Sequence, residues 1–436
     1  MVRRFEYLKF VICTKGLLGL ILRIKMLISR FDLSGKKLKK AISEIELMGK
    51  KYGYRPTLLF PAVILKRHSH FLGTLSKENF EFGIHGYSHK DYKHMTLDEQ
   101  VSQIQKARET FEKFQVPFYG FRAPYLSWNA HTIKAVQKNR LLWESNEAFI
   151  WNGFMEHLKR RRFHEDAIHL LYNPLPAEKN LLIPRLEGDI VRVPIGLPDD
   201  EILVDRYNAT DPELIEDIWV EILKNSYQRG DIFVLHLHPE RFSLCGKAMD
   251  GLLNKATSFN PAVWITGMHE VTEWWKEKST FNFIFQNETN RGYRVKCECS
   301  NRATILGRNL KTECSSDHFY KDYQLTKESE FFVESGGVKP CIGVHPQCSA
   351  ALIKFLKEEG FPYEVSDEKS GYSIFLKEYE TFKRENEVDI LEKIEHSTHP
   401  IIRYWLWPEE KMSALVTTHD LDCLTSKDFF LRFFEL

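Results

Sequence analysis

The sequence predicts an α/β fold built on a parallel sheet or a (β/α) barrel, and three observations lead to this prediction. Apolar strand patterns alternate with helical patterns between residues 34 and 280. Short polar motifs follow several strands, as expected where functional groups collect at the carboxyl ends of parallel strands. The 436 residues are enough for two or three domains, each with a core of its own.

The elements of this region can be assigned in chain order. Helices are predicted at Ser34–Tyr52, Phe71–Asn79, Thr96–Phe114, Asn129–Gln137 and Pro212–Tyr227. Strands are predicted at Thr57–Ile64, Phe80–Ile84, Phe118–Phe121, Ile190–Ile195 and Asp231–His238.

The pattern changes around Thr280. Residues 281–397 alternate polar and apolar positions and are predicted to form a separate small α+β or β-rich domain, to which no chemistry can be assigned. Two apolar strands follow, Ile401–Trp407 and Ser413–Thr418. The motif THDLD and a final helix, Lys427–Glu435, complete the chain.

Composition is that of an ordinary globular protein, with 43% hydrophobic and 28% charged residues. The 61 basic and 60 acidic residues nearly cancel, so a general nucleic-acid-binding face is not expected. The eight cysteines are scattered without the spacing of a disulfide framework, which favours a reducing, cytoplasmic setting. Nothing in the sequence indicates an oligomeric state.

The first 31 residues combine an apolar run with basic residues. Lys15 interrupts the run, and Arg23 and Lys25 close it, which leaves fewer than the roughly 20 apolar residues of a membrane-spanning helix. No small-residue cleavage site follows. We predict a partly buried helix or strand pair here, with contact to a membrane surface as the less favoured alternative.

Two histidines mark a candidate metal site. His85 and His89 lie four residues apart after the strand Phe80–Ile84, where a turn at Gly86 lets both imidazoles face one cation. Surface or capping histidines are the alternative interpretation of such a pair. The pair lacks a third ligand nearby in the sequence.

The motif THDLD places Asp420 and Asp422 two residues apart at the end of an apolar strand, so that extended geometry points both carboxylates the same way. Aspartates that cap the start of a loop are the competing interpretation. Cys297 and Cys299, with later cysteines, offer a second possible zinc site. Two small thiols on one strand face are the favoured interpretation of that pair.

Four motifs taken together resemble those of the polysaccharide deacetylases, the NodB-homology or carbohydrate esterase 4 family. They are IHGYSH (84–89), FRAPY (121–125), VLHLHPER (234–241) and THDLD (418–422). The resemblance implies a (β/α) barrel of the NodB type and a hydrolase that removes an N-acetyl group from a sugar or polysaccharide.

In that family the aspartate motif precedes the histidines, whereas here it lies near the C-terminus. The resemblance therefore implies a circularly permuted barrel: residues 1–280 form its main part, 281–397 are inserted, and 398–436 supply the first barrel strand and the aspartate motif. A second deacetylase domain truncated after its first motif is the alternative.

The resemblance also implies a divalent cation, with zinc favoured, held by His85, His89 and Asp422. Asp420 would be the base that takes a proton from the attacking water, although the roles of the two aspartates are exchangeable. Arg122 would pair with the base carboxylate and keep it ionised.

The remaining groups complete the implied chemistry. A backbone N–H near Tyr125 would stabilise the oxyanion. The proton donor to the leaving amine would be His238, with His236 as the second choice. Glu144 to Asn146 replace an aspartate–serine pair of the family, which puts a hydrogen-bonding role there in doubt. Trp128, Trp151 and Trp405 are favoured as core residues over sugar-stacking residues.

Two further functions stay open at this point. One is a metal-dependent amidohydrolase that acts on another small amide, since the same water activation serves any amide. The other is a catalytically silent carbohydrate-binding or scaffold protein.

Overall fold

The computed structural model describes residues 28–153, 168–289, 291–311, 317–432 and 434–435. The helix or strand pair predicted for the N-terminal residues lies outside this range, apart from its last few residues. None of the described helices has the length and hydrophobicity that crossing a bilayer requires.

Helices and strands alternate through the first part of the chain. The helices are α1 Lys36–Tyr52, α2 Ala62–Arg67, α3 Ser69–Leu72, α4 Leu97–Lys113, α5 Ala130–Lys138, α6 Pro212–Arg229, α7 Phe242–Ala256, α8 Met268–Lys278, α9 Ala350–Glu358, α10 Glu387–Glu395 and α11 Ser426–Arg432. The first strands are β1 Thr57–Phe60, β2 Glu81–Ile84, β3 Gly120–Phe121, β4 Trp143–Glu144, β5 Ala148–Ile150, β6 Leu175–Pro176, β7 Arg185–Glu187, β8 Ile190–Arg192, β9 Ile195–Leu197, β10 Ile232–Leu237 and β11 Val263–Thr266.

The later strands are β12 Asn282–Thr289, β13 Gly292–Glu298, β14 Ile305–Arg308, β15 His318–Tyr320, β16 Tyr323–Leu325, β17 Glu330–Glu334, β18 Lys339–Val344, β19 Tyr363–Val365, β20 Tyr372–Leu376, β21 Ile401–Tyr404 and β22 Ser413–Asp420. β1 to β11 and β22 form one twelve-stranded sheet, in the order β6-β5-β9-β10-β22-β1-β2-β3-β4-β8-β7, with β11 also on β22.

This large sheet is parallel throughout except where β7 meets β8. Its central strands are buried at every position, as expected when helices cover the outside of a curled parallel sheet. The predicted α/β class and NodB-type (β/α) barrel are confirmed. All the parallel strands end at one edge, where side chains from distant parts of the chain can meet.

The C-terminal strand β22 occupies the middle of the sheet. It runs parallel to β10 over six residue pairs, among them His236 with Thr418. On its other side, β11 pairs with the first half of β22 and β1 with the second half, where Leu59 is opposite Asp420. The aspartate motif therefore ends between strands that come from the N-terminal part of the chain.

Three smaller sheets follow α8. Two are antiparallel, β12-β13-β17 and β15-β16-β14-β21, and one is parallel, β19-β18-β20. β21 pairs with β14, so this strand lies with the smaller sheets although it precedes β22 in the chain. The predicted domain limits at 281 and 397 stay a prediction.

Two predicted elements near the histidines are wrong in extent. The strand expected at Thr57–Ile64 ends at Phe60, because Pro61 follows it as the N-cap of the short helix α2. The N–H groups of Ala62 and Val63 donate to the carbonyl oxygens of Gly86 and Tyr87, which satisfies two free donors of that helix. The helix expected at Phe71–Asn79 is instead α3, which ends at Leu72.

Candidate metal centre and active site

The histidine turn follows β2 at the carboxyl edge of the sheet. Gly86 has a φ of +83°, and a Cβ at this position would lie 2.9 Å from the carbonyl oxygen of Ser88. Nδ1 of His85 donates to the backbone oxygen of Arg122 at 2.9 Å, which leaves Nε2 with its lone pair free to bind. Both imidazoles are buried, so the turn presents two fixed ring nitrogens.

Asp422 brings a carboxylate to these two rings. Its Oδ1 lies 3.0 Å from Nε2 of His89 and 3.4 Å from Nε2 of His85. Burial raises the pKa of Asp422, but its neighbours, the imidazoles of His89 and His85 and the guanidinium of Arg432, hold it well below its usual range. Asp422 is therefore an anion at neutral pH.

Two observations show that these three residues fit a divalent cation. One ligand atom from each of His85, His89 and Asp422 lies within 4.8 Å of the other two. Oδ1 of Asp422 is buried and accepts no hydrogen bond from the described residues. Two imidazoles and one carboxylate, with positions left for water and substrate, are a donor set that zinc uses in hydrolases.

The pKa of His89 matches the role of a ligand. Burial, with Arg432 nearby, lowers this pKa to about 3, so the ring is neutral. A neutral imidazole carries the lone pair that a cation binds.

Arg432, from the C-terminal helix α11, also contacts this donor set. Its Nη1 donates to Oδ2 of Asp422 at 2.8 Å, and its Nη2 donates to Nε2 of His89 at 3.2 Å. The guanidinium carbon lies 5.1 Å from the ring centroid of Tyr125. No sequence pattern pointed to this residue.

Asp420 lies beside the donor set and is held by an arginine. Arg122 is fully buried, and its Nη1 donates to Oδ1 of Asp420 at 3.0 Å and to Oγ1 of Thr418 at 2.8 Å. Burial raises the pKa of Asp420, but Arg122, His85 and His236 hold it far below its usual range. The two aspartates of THDLD thus have different neighbours.

Ser145 completes the surroundings of Arg122. Its carbonyl oxygen accepts from Nε of Arg122 and its Oγ from Nη2, both at 3.1 Å. Oδ1 of Asn146 accepts from the N–H of Ala123 at 2.6 Å, and Glu144 pairs with Arg192. Ser145 and Asn146 therefore hold the RAPY turn in place, a role the sequence left in doubt.

His236 bridges two carboxylates. Its Nδ1 lies 3.0 Å from Oδ2 of Asp199, and its Nε2 lies 3.0 Å from Oδ2 of Asp420. Burial lowers the pKa of His236, but these carboxylates outweigh burial and raise it. Both ring nitrogens are engaged, so His236 fixes the orientation of Asp420.

His238 has a different environment although it is only two residues away. Its Nδ1 lies 2.7 Å from Oδ1 of Asp200, whose other oxygen accepts from the backbone N–H of His238 at 2.6 Å. Burial lowers the pKa of His238, but Asp200 raises it to about 10. No hydrogen bond to Nε2 of His238 is made by the described residues.

Asp199 and Asp200 follow β9 in the sequence GLPDD and were not predicted as site residues. An acidic pair shortly after the strand predicted at Ile190–Ile195 was the available signal, similar to the one that identified Asp420 and Asp422.

Tyr125 stands at the mouth of the site with 45% of its surface exposed. Its ring centroid lies 4.4 Å from that of His89, edge to face. The backbone at Tyr125 has a φ of +62°, a conformation that residues other than glycine adopt uncommonly.

The remaining candidates lie elsewhere. Trp151 and Trp405 are buried core residues, and Trp128 packs partly buried against the barrel core. Among the described residues, no group of three metal-binding side chains includes Cys297 or Cys299, while Cys314 lies outside that range.

A comparison with family models identifies part of the chain. Residues 31–141 match the polysaccharide deacetylase model. The resemblance predicted from the motifs is confirmed. His85, His89, Arg122 and Tyr125 lie in the matched segment, whereas the two aspartates of THDLD lie outside it.

Solved structures of three proteins are similar to this chain. A protein assigned as a polysaccharide deacetylase from Mycobacterium smegmatis is 18% identical with a TM-score of 0.42, over 54% of this chain and 76% of its own. The allantoinase PuuE is 13% identical with a TM-score of 0.40, over 54% of this chain and 72% of its own.

The third protein is a mutant of BA3943, a carbohydrate esterase 4 family pseudoenzyme, which is 14% identical with a TM-score of 0.24 over 41% and 59%. No curated protein sequence matches the chain. Likeness at these TM-scores does not bear on the chemistry of the site.

Proposed function

We propose that this protein is a metal-dependent deacetylase that hydrolyses the N-acetyl group of an N-acetylated sugar or polysaccharide. One observation carries the proposal: Asp422, near the C-terminus, lies within 3.4 Å of the Nε2 atoms of both histidines of the N-terminal turn. The carboxylate that the histidine pair lacks in sequence is supplied in space by Asp422, just beyond the end of β22.

The position of β22 supports a circularly permuted barrel as part of this proposal. A strand from the far end of the chain lies in parallel register between β10 and β1. The motif that the family carries before its histidines therefore has a place in the sheet beside them.

A divalent cation held by His85, His89 and Asp422, with zinc favoured, would polarise the acetyl carbonyl and the attacking water. Asp420 is the proposed base, because Arg122 and His236 keep it ionised and fix its orientation. The water oxygen bonds to the carbonyl carbon as Asp420 takes its proton, and the carbon–nitrogen bond then breaks.

The leaving amine needs a proton, and His238 is the proposed donor. Its Nδ1 is paired with Asp200, while no described residue binds its Nε2. The raised pKa keeps the ring protonated at neutral pH, so it can deliver a proton. The backbone of the strained turn at Tyr125 is the proposed oxyanion donor.

The test measures bound metal and acetate release with N-acetylated oligosaccharides in the same preparations. We expect about one equivalent of metal in the wild type and in a control, His131→Ala, which changes an exposed histidine. His89→Ala should lose both the metal and the activity.

Two other outcomes would contradict the proposal, and each would favour a different function. A folded wild type that binds no divalent metal would favour a silent carbohydrate-binding or scaffold protein. Metal binding with hydrolysis only of other small amides would favour an amidohydrolase instead.

A further inference from the structure

The guanidinium of Arg432 forms hydrogen bonds with two of the three side chains that would hold the cation. Nη2 of Arg432 lies 3.2 Å from Nε2 of His89, and Nη1 lies 2.8 Å from Oδ2 of Asp422. The three side chains are nearly buried, with exposed fractions of 16% for Arg432, 14% for Asp422 and 3% for His89. This contact is therefore shielded from solvent. Ion pairs in such a shielded position are screened less than ion pairs on the surface.

The contact with His89 and a bound cation exclude each other. A guanidinium has no acceptor atom, so Nε2 of His89 must supply the lone pair for this hydrogen bond. An imidazole nitrogen has one lone pair, and coordination to a cation uses it. His89 can serve Arg432 or the cation, but not both at once.

Charge reinforces the competition. Asp422 carries its negative charge in a buried site, where an unpaired ion is costly. Arg432 compensates that charge without any metal. A cation bound at Oδ1 of the same carboxylate would lie within a few ångströms of the guanidinium, and two like charges at that distance repel each other.

The structure offers the displaced guanidinium an alternative partner. The guanidinium already lies 5.1 Å from the ring centroid of Tyr125, which is 45% exposed. A small movement towards this ring would release His89 and leave an N–H group at the mouth of the site.

We propose that Arg432 is a built-in competitor of the cation and sets the metal affinity of the site, an inference that rests on the proposed metal centre. Arg432 holds His89 and Asp422 until a divalent cation displaces it. It acts as a positioning residue on the ligands.

The experiment measures zinc and cobalt(II) affinity of the full chain by equilibrium dialysis, with cobalt(II) absorption as a second readout. Arg432→Gln removes the charge and keeps a polar side chain. We expect this variant to bind both metals at least about tenfold more tightly than the wild type. Arg432→Lys keeps the charge but cannot contact Asp422 and His89 with two separate nitrogen atoms. The metal affinity of this variant should therefore lie between those of the wild type and Arg432→Gln.

A matched control is another arginine that contacts the C-terminal helix α11. Arg67 pairs with Asp428 of α11 and with Glu435, but does not touch the ligands. Arg67→Gln should loosen the attachment of α11 and leave metal affinity at the wild-type value. If Arg67→Gln raised the metal affinity as much as Arg432→Gln does, the proposal would be overturned. Any loosening of α11 would then be enough to raise the affinity.

Two further results decide the matter. Equal or weaker metal binding by Arg432→Gln, with a wild type that binds metal, would show that Arg432 supports Asp422 as a ligand and would refute only the competition. Absence of metal binding in every variant would refute both the competition and the metal centre.

Discussion

Asp422 and His89 are far apart in sequence but in contact in the structure: Oδ1 of Asp422 lies 3.0 Å from Nε2 of His89. β22 makes this contact possible, because its register beside β1 sets Asp420 opposite Leu59, one residue before Phe60 ends β1. The site thus depends on the long-range pairing of β22, and each aspartate can be tested for a separate role.

Substitution of the two aspartates should separate metal binding from proton transfer. Asp420→Asn should keep its metal but lose hydrolysis by about a hundredfold or more, because the base is neutralised. Asp422→Asn should lose metal and activity together. Metal analysis and acetate release on the same samples check both results, and loss of metal in Asp420→Asn alone would mean that the two roles are exchanged.

Arg122 should be important for stability as well as for activity. Arg122→Met leaves the buried Asp420 without its cationic partner, so we expect a loss of about 3–5 kcal/mol in the free energy of unfolding, measured with urea. The double variant Arg122→Met/Asp420→Asn should recover part of this loss. Additive losses in the double variant would argue against the pairing as the cause.

The sequence predicted the residues that follow strands, because position at the carboxyl edge of a parallel sheet is a local property. His85, His89, Arg122, His238 and Asp422 were found in this way. Asp199 and Asp200 follow β9 as well, but the strand predicted from the sequence ended at Ile195, short of these two residues.

The contacts of other residues could not be predicted from the sequence. Arg432 lies on a helix, and its contact with His89 depends on how α11 packs against the site. Ser145 contacts Arg122 only because β4 pairs with β3 in parallel register. Such contacts follow from tertiary structure, which no local pattern encodes.

The ion pair of His238 with Asp200 should make stability depend on pH. The pKa of His238 rises from 6.5 to about 10 on folding, so its contribution is complete below pH 6.5 and is lost as pH rises towards 10. The stability difference between the wild type and His238→Gln should therefore shrink between about pH 6 and about pH 9.

Urea unfolding at each pH measures this difference. His131→Gln, at an exposed position, is the control and should differ little from the wild type throughout. A difference that grows with pH would contradict the assignment of a protonated His238 in the folded protein.

Gly120 should be intolerant of any side chain, because β3 passes directly beneath a tryptophan. A Cβ at Gly120 would lie 1.9 Å from Cδ2 of the buried Trp143. Gly120→Ala should destabilise the protein by about 1–3 kcal/mol or more and displace the turn that carries Arg122. Gly153→Ala is a suitable control, since no atom of the described residues lies within 4 Å of its added Cβ. Thermal unfolding of both variants checks the prediction.

His236 and His238 should be distinguishable by the shape of their pH profiles. His238→Gln removes the proposed proton donor, so kcat should fall by about a hundredfold or more and the decline of activity at high pH should disappear. His236→Gln keeps the donor but removes a partner of Asp420, whose pKa should then rise and move the acidic limb of the profile to higher pH. Steady-state rates across pH measure both effects, with metal content as the check on an intact site. The reverse pattern, with the alkaline limb lost in His236→Gln, would make His236 the proton donor and leave His238 as a structural partner of Asp200.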